Sequence, residues 1–262
     1  MPIPDRRFAA ALAYDGGAFC GWQTQPQGCG VQDAVQKALA ATGTKQCTAT
    51  AAGRTDTGVH AISQIVHFDA GKTAPPNLRG VNHFLHPQAA MLWAQVVGDD
   101  FHARYCATAR RYHYVICAEE SLMPVLGGRV CFCRQKLDAE AMRRAATMLT
   151  GEHDFSSFRA AGCSAKTPRR HLREIMICDN APFLSVAFCA DGFLRRMVLN
   201  ITGALLVIGR GEKPPQWAEE LLAAKNRNVA PKAAPAEGLY FVGADYPARF
   251  NLPPTVRRLP FG

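Results

Sequence analysis

The chain has 262 residues, enough for two modest domains or one large one, and a chain of this length buries somewhat less than ~75% of its unfolded surface without needing a metal or disulfide staple. Hydrophobic residues make up 48% and charged residues 19%, a balance that excludes a disordered or fibrous chain. Lys+Arg number 30 against 21 Asp+Glu, giving a net charge of +9 and a pI near 9.2, which favours a polyanionic partner over an acidic-protein class.

Residues 7–14 read as a first strand ending in the turn Asp15-Gly16-Gly17. Residues 31–42 place Val31, Ala34, Val35, Ala38 and Leu39 on one helical face, with Gly43 as the stop. Residues 45–51 alternate Cys47, Ala49 and Ala51 against Gln46, Thr48 and Thr50, the pattern of a weak strand. A loop over 53–60 leads to a strand over 62–68, a helix over 76–85 and a strand over 91–97. This β-α-β-β-α-β order is a common supersecondary unit. A similar order returns later. Strands are expected over 108–118 and 129–133, then a helix over 137–149 with Asp138 as N-cap and a Leu137–Met142 staple. Strands over 172–178 and 183–190, helices over 193–208 and 215–224, and a strand over 239–244 complete the chain. The expected class is α+β, in two similarly built halves with antiparallel or mixed sheets, divided near 101–107 into 1–106 and 107–262.

Arginine comes in pairs: Arg6-Arg7, Arg110-Arg111, Arg143-Arg144, Arg169-Arg170, Arg195-Arg196 and Arg257-Arg258. A planar guanidinium binds two phosphate oxygens at once, so nucleic acid is the expected partner. The alternative is a soluble surface that is merely basic. Ten cysteines include no Cys-x-x-Cys, and Cys131 and Cys133 are the closest pair. Cys47, Cys117, Cys178 and Cys189 fall in apolar runs, where a thiol behaves as a small hydrophobe. His83 and His86 lack companion ligands, so no structural zinc is expected. Unpaired thiols fit a reducing cytoplasm. Residues 8–14 are too short for a signal peptide, and the apolar run 197–208, interrupted by Asn200 and Thr202, is too short to span a membrane.

Two segments carry candidate chemistry. Residues 52–60 read Ala-Gly-Arg-Thr-Asp-Thr-Gly-Val-His, with two glycines bracketing Arg54 and the lone carboxylate of Asp56. A loop aspartate, a carboxylate at neutral pH, has the charge and access to attack or hold a reacting centre. Alternatively the stretch is a glycine-bracketed turn whose Asp bonds its own backbone. On the strand from Thr108, period two puts Arg110, Tyr112, Tyr114 and Ile116 on one face. Single-stranded nucleic acid uses such a face, charge for phosphate and rings for bases, with stacking of ~1–3 kcal/mol per base. The same pattern also suits a half-buried strand whose aromatics fill core. Other motifs fail. Gly71-Lys72-Thr73 lacks a P-loop glycine where Val66 stands, and Gly28-Cys29-Gly30 has Asp33 at the third glycine of a dinucleotide turn. Neither a Gly-x-Ser-x-Gly elbow nor a His-Glu-x-x-His helix occurs.

Gly53-Arg54-Thr55-Asp56-Thr57-Gly58-Val59-His60 resembles the signature of the TruA family of tRNA pseudouridine synthases. The resemblance continues in Phe101-His102-Ala103-Arg104, Thr108-Ala109-Arg110-Arg111-Tyr112, His153-Asp154-Phe155-Ser156-Ser157-Phe158 and Glu237-Gly238-Leu239-Tyr240, in family order and over nearly the whole chain. It implies a pseudouridine synthase fold, two halves around a basic cleft, and isomerisation of uridines 38 to 40 in the tRNA anticodon arm. It further implies a cytoplasmic homodimer needing neither metal nor cofactor. Asp56 matches the catalytic aspartate, Arg54 an arginine that holds the flipped nucleotide, and Tyr112 a tyrosine that packs on the uracil.

Uridine becomes pseudouridine when the C1′–N1 bond breaks, the uracil turns, and C5 bonds to C1′. The base must first leave its stack, at a cost of a few kcal/mol. Asp56 has three routes open: attack at C1′, addition to C6, or removal of a C2′ proton. By the same resemblance Tyr112 is expected to cover the ring and to help the C5 proton leave. A glycosidase would instead use two carboxylates and release free base. The chain departs from the family at one position: Leu199 stands where an arginine pairs with the catalytic aspartate. On a continuous helix Arg195 lies one turn, ~5.4 Å, earlier on the same face, and is the expected substitute, with Arg196 behind it. Leu199 also admits an RNA-binding or RNA-folding protein that has lost catalysis, and an RNA glycosidase is a further rival.

Overall fold

In the computed structural model the described residues are 6–44, 47–71, 74–121, 123–254 and Leu259. Lys45, Gln46, Lys72, Thr73, Arg257 and Arg258, which figure in the readings above, lie outside them. The chain is mixed α+β and divides into two compact units, Met1–Arg110 with Tyr240–Gly262, and Arg111–Leu239. The division at 106/107 expected from sequence put the last strand with the second half. In the division above, Tyr240 onward groups with the first unit.

The first unit contains β1 (Arg6–Tyr14), α1 (Val31–Ala41), β2 (Thr50–Ala51), β3 (His60–Ala70), α2 (Leu78–Phe84), β4 (Ala89–Val96) and the tenth strand of the chain, β10 (Leu239–Asp245). Its strands run in the order β4-β1-β3-β10, with β2 antiparallel on β3. Phe8 to Leu12 are all buried, so the central strand β1 is covered on both faces and reads as a nearly unbroken apolar run. Phe8 lies opposite Phe68 in the β1–β3 register, their rings stacked 5.7 Å apart. β10 joins β3 in parallel, Tyr240 opposite His60. The stripe Val31, Val35, Ala38 and Leu39 buries one face of α1, and Asp33 Oδ2 accepts the Gly30 N–H at 3.0 Å to close its first turn. Of the strand expected over 45–51, residues 47–49 fall outside β2 for a visible reason. Gln32 Nε2 donates to Ala49 O at 3.0 Å and Ala49 N–H donates to Gln36 Oε1 at 3.1 Å, so side chains of α1 take the place of a ladder.

The second unit begins inside β5 (Ala109–Cys117) and continues through β6 (Cys131–Phe132), α3 (Ala139–Leu149), β7 (Gly151–Asp154), β8 (Arg169–Asn180), β9 (Phe183–Ala190), α4 (Met197–Gly209) and α5 (Trp217–Ala224). Its strands are ordered β5-β9-β8-β7, with β6 parallel to β5. Asp138 caps α3 as expected, accepting the Ala141 N–H at 2.8 Å. α3 packs against β8, α4 and α5, and α4 is buried nearly all round, as a central core helix must be. The long helix expected over 193–208 starts only at Met197. Arg196 sits at φ +59°, while Ala160 N–H donates to Arg195 O at 3.1 Å and Arg195 N–H to Cys163 Sγ at 3.4 Å. The loop at 160–163 thus holds Arg195 outside the helix, and the one-turn relation between Arg195 and Leu199 does not exist.

His67 of β3 is buried and accepts the Ala103 N–H on Nδ1 at 3.2 Å. Burial, then the neighbouring His102 and Arg7, pushes its pKa down from 6.5 to about 4. The unfolded chain takes up this proton near pH 6.5 and the folded chain only near 4, so stability is lost as pH falls through that window. The loss amounts to about 1–2 kcal/mol at pH 5. Thermal melting of His67→Gln should therefore drop less between pH 7 and pH 5 than that of the parent; equal drops would contradict this.

Candidate active site

Residues 52–60 leave the sheet at Ala52, whose N–H still donates to Ile65 O at 2.8 Å. Gln64 of β3 holds the next residue from both sides: its Nε2 donates to Gly53 O at 2.7 Å and its Oε1 accepts the Gly53 N–H at 3.4 Å. Thr55 is buried, its Oγ1 2.8 Å from the Tyr14 hydroxyl and its carbonyl accepting the Trp22 N–H at 3.0 Å. Burial pushes the Tyr14 pKa up to about 12, so this hydroxyl keeps its proton. The loop closes through Val59 N–H to Asp56 O at 3.1 Å, Gly58 N–H to Gly16 O at 3.2 Å, and Gly16 N–H to His60 Nδ1 at 3.1 Å. The Asp56 backbone is fixed on both sides, while the residue itself is half-buried and Arg54 is exposed.

Two glycines permit this closeness. A Cβ at Gly16 would stand 2.1 Å from Val59 O. Gly21, at φ +90°, would place one 2.9 Å from Thr55 O and 3.2 Å from Thr57 N. Beside Gly21 the structure corrects an expectation. Cys20 and Cys29 form a disulfide with Cα atoms 5.4 Å apart, so the thiols are not all unpaired. The spacing of nine matches no short motif. The available signal was three glycines, Gly21, Gly28 and Gly30, curling the chain back on itself. Through Trp22 N–H and Thr55 O the bridged loop bears directly on the Asp56 loop.

The face expected from Arg110, Tyr112 and Tyr114 does not act as one. Tyr114 is fully buried, donates its hydroxyl to Pro235 O at 2.8 Å, and has its pKa raised far above the ordinary range by burial; it is core, not a stacking surface. Arg110 belongs to the first unit with Asp56 and Arg54, and each of its three guanidinium nitrogens donates to a carbonyl. Tyr112 belongs to the second unit, is 8% exposed, and meets Phe193 edge-on at 5.2 Å, a neighbour that no sequence pattern announced. Arg195 and Arg196 are exposed in the same unit, and Leu199 is buried in α4. Asp154 accepts the Ser156 N–H at 2.9 Å, and hydrogen bonding to Ser156 holds its pKa down, so it caps a turn rather than serving as a second acid. Among the described residues no group of three or more His, Cys, Asp or Glu could hold a metal ion, and no helix is long and apolar enough to cross a membrane.

Removing the bridge with Cys20→Ser and Cys29→Ser together should lower stability by about 2–3 kcal/mol, the chain-entropy value for so short a loop. Urea unfolding under non-reducing conditions measures this; an unchanged midpoint would contradict it.

The family model described as tRNA pseudouridine synthase matches residues 10–106 and 145–247. The tRNA pseudouridine synthase A of Thiobacillus denitrificans is 48% identical over 257 residues, covering 97% of this chain and 99% of that protein. The proteins of the same name from Burkholderia multivorans and Burkholderia vietnamiensis are 46% and 44% identical over 250 residues, each covering 95% of this chain and 93% of its own. The chain belongs to the tRNA pseudouridine synthase family.

Proposed function

We propose that this chain converts uridine to pseudouridine at positions 38, 39 and 40 of the tRNA anticodon arm, with Asp56 as the catalytic nucleophile. The observation that carries the reading is the Asp56 loop, whose backbone is tied to β3, to Tyr14 and to the loop of Gly16 and Gly21 while Asp56 itself is only half-buried. Isomerisation loses no atoms: the C1′–N1 bond breaks, C5 bonds to C1′, and the C5 proton is released while N1 gains one. Attack at C1′, addition to C6 and removal of a C2′ proton all remain open to the carboxylate. Tyr112 packs on the uracil, and Arg54 and Arg195, both exposed, hold the nucleotide and its phosphates. The net charge of +9 supports a polyanionic substrate. A cytoplasmic homodimer is the working assembly, on the strength of the family resemblance.

A second reading is favoured by Leu199, which is 1% exposed and offers a carboxylate no hydrogen bond. In that reading the protein binds or folds tRNA without turning it over. Unmodified tRNA tritiated at uracil C5 separates the readings. Tritium release without free uracil is expected. Binding with no release would support the second reading, and liberated uracil would indicate a glycosidase. In the same assay Arg195→Ala should weaken tRNA affinity and make its salt dependence shallower by about one unit of slope, as loss of one phosphate contact does.

A further inference from the structure

We infer that Arg110 is a positioning residue for the Asp56 loop rather than a ligand of RNA phosphate. This rests on the assignment of Asp56 as the reacting group. Arg110 Nε and NH2 donate to Ala52 O at 3.3 and 3.4 Å, NH1 donates to Ala107 O at 3.0 Å, and NH2 also donates to Arg104 O. Ala52 is the point where the chain leaves β2. Its N–H makes the last ladder bond, to Ile65 O, and four residues later comes Asp56. The Ala52 carbonyl is therefore turned to the guanidinium at the entrance of the catalytic loop.

The other two carbonyls belong to a segment that is anchored independently. Ala103 N–H donates to His67 Nδ1 at 3.2 Å, and Tyr246 donates its hydroxyl to Ala103 O at 2.6 Å. His102 Nδ1 accepts the N–H groups of Arg104 and Tyr105 at 3.1 and 3.2 Å. Arg110 thus ties the entrance of the Asp56 loop to a segment pinned on the sheet. The task needs a planar fork with several donors fixed in one geometry, and a guanidinium that stays charged when half-buried supplies it. A lysine ammonium has three donors, but all on one nitrogen, and cannot spread them as a planar fork does. Phosphate, by contrast, accepts lysine as a point charge.

The two roles separate in Arg110→Lys and Arg110→Ala. In the positioning role both variants lose kcat by about 10–100-fold, the scale of a small misplacement of a reacting group. KM, tRNA affinity and the slope of log affinity against log salt then stay within about twofold of the parent. In a phosphate-binding role Lys would restore most of the activity, and Ala would weaken affinity with a slope shallower by about 0.9; that result overturns the inference. Amide hydrogen exchange gives a readout independent of turnover. Residues 52–58 should exchange about tenfold faster in both variants while β1 stays protected. Unchanged exchange at 52–58, or loss of protection across β1 and β3 together, would also overturn it. A parent protein that releases no tritium would instead refute the proposed isomerisation and leave the exchange result to decide the role of Arg110.

Discussion

The approach of backbone to backbone at Gly16 and Gly21 is the constraint on which the rest of the site depends. Residues 55–59 lie so near these two glycines that a methyl group at either would collide with main-chain atoms. That closeness is what lets Trp22 N–H reach Thr55 O and Gly58 N–H reach Gly16 O. Without those bonds the loop carrying Asp56 would lose its main-chain ties to the glycine segment and keep the side-chain ties from Gln64, Arg110 and Tyr14. A net hydrogen bond contributes roughly 1 kcal/mol, so no single contact fixes the loop. Several acting on one short segment do, because each residue ordered by one bond no longer costs entropy to the next. The disulfide between Cys20 and Cys29 works in the same direction by limiting the conformations of the loop that contains Gly21.

The two polar side chains beneath the loop show why its core is not simply apolar. Tyr14 and Gln64 both arise from strands of the first unit, and between them they satisfy Thr55 and Gly53. Buried donors and acceptors are tolerable only when paired, and pairing them fixes register. Replacing either with an aliphatic residue of similar size would leave loop carbonyls or hydroxyls unpaired at the point where a reacting group must be placed to a fraction of an ångström. The molecule accepts a polar interior there and a densely apolar one elsewhere, as in the Phe8–Phe68 stack and in α4.

Periodicity was enough to find α1, α3, β1, β3 and β9, because each has a clear buried stripe or run that only one period fits. Side-chain substitution for backbone partners was invisible to it. Gln32 and Gln36 took over Ala49 and shortened β2, and the hold of the 160–163 loop on Arg195 shortened α4. Both errors come from hydrogen bonds between residues distant in sequence, which no local pattern encodes. The second had a consequence for the site, since the argument placing Arg195 above Leu199 assumed a continuous helix. Asp56 was legible as a candidate because two glycines frame an arginine and one carboxylate. Its supports were not, and neither were the disulfide, the edge-on partner of Tyr112, nor the three carbonyls that engage Arg110. Composition announced a basic protein but could not say which arginines face solvent and which serve the fold.

The claim most exposed to refutation is that the Asp56 carboxylate itself reacts. Single-turnover conversion of saturating unmodified tRNA by Asp56→Asn tests it directly, since the amide keeps the shape and loop geometry but cannot serve as nucleophile or base. The account predicts a rate at least about a thousandfold below the parent, the order of loss seen when a nucleophile is removed, with tRNA still bound. A rate within about tenfold of the parent would contradict it.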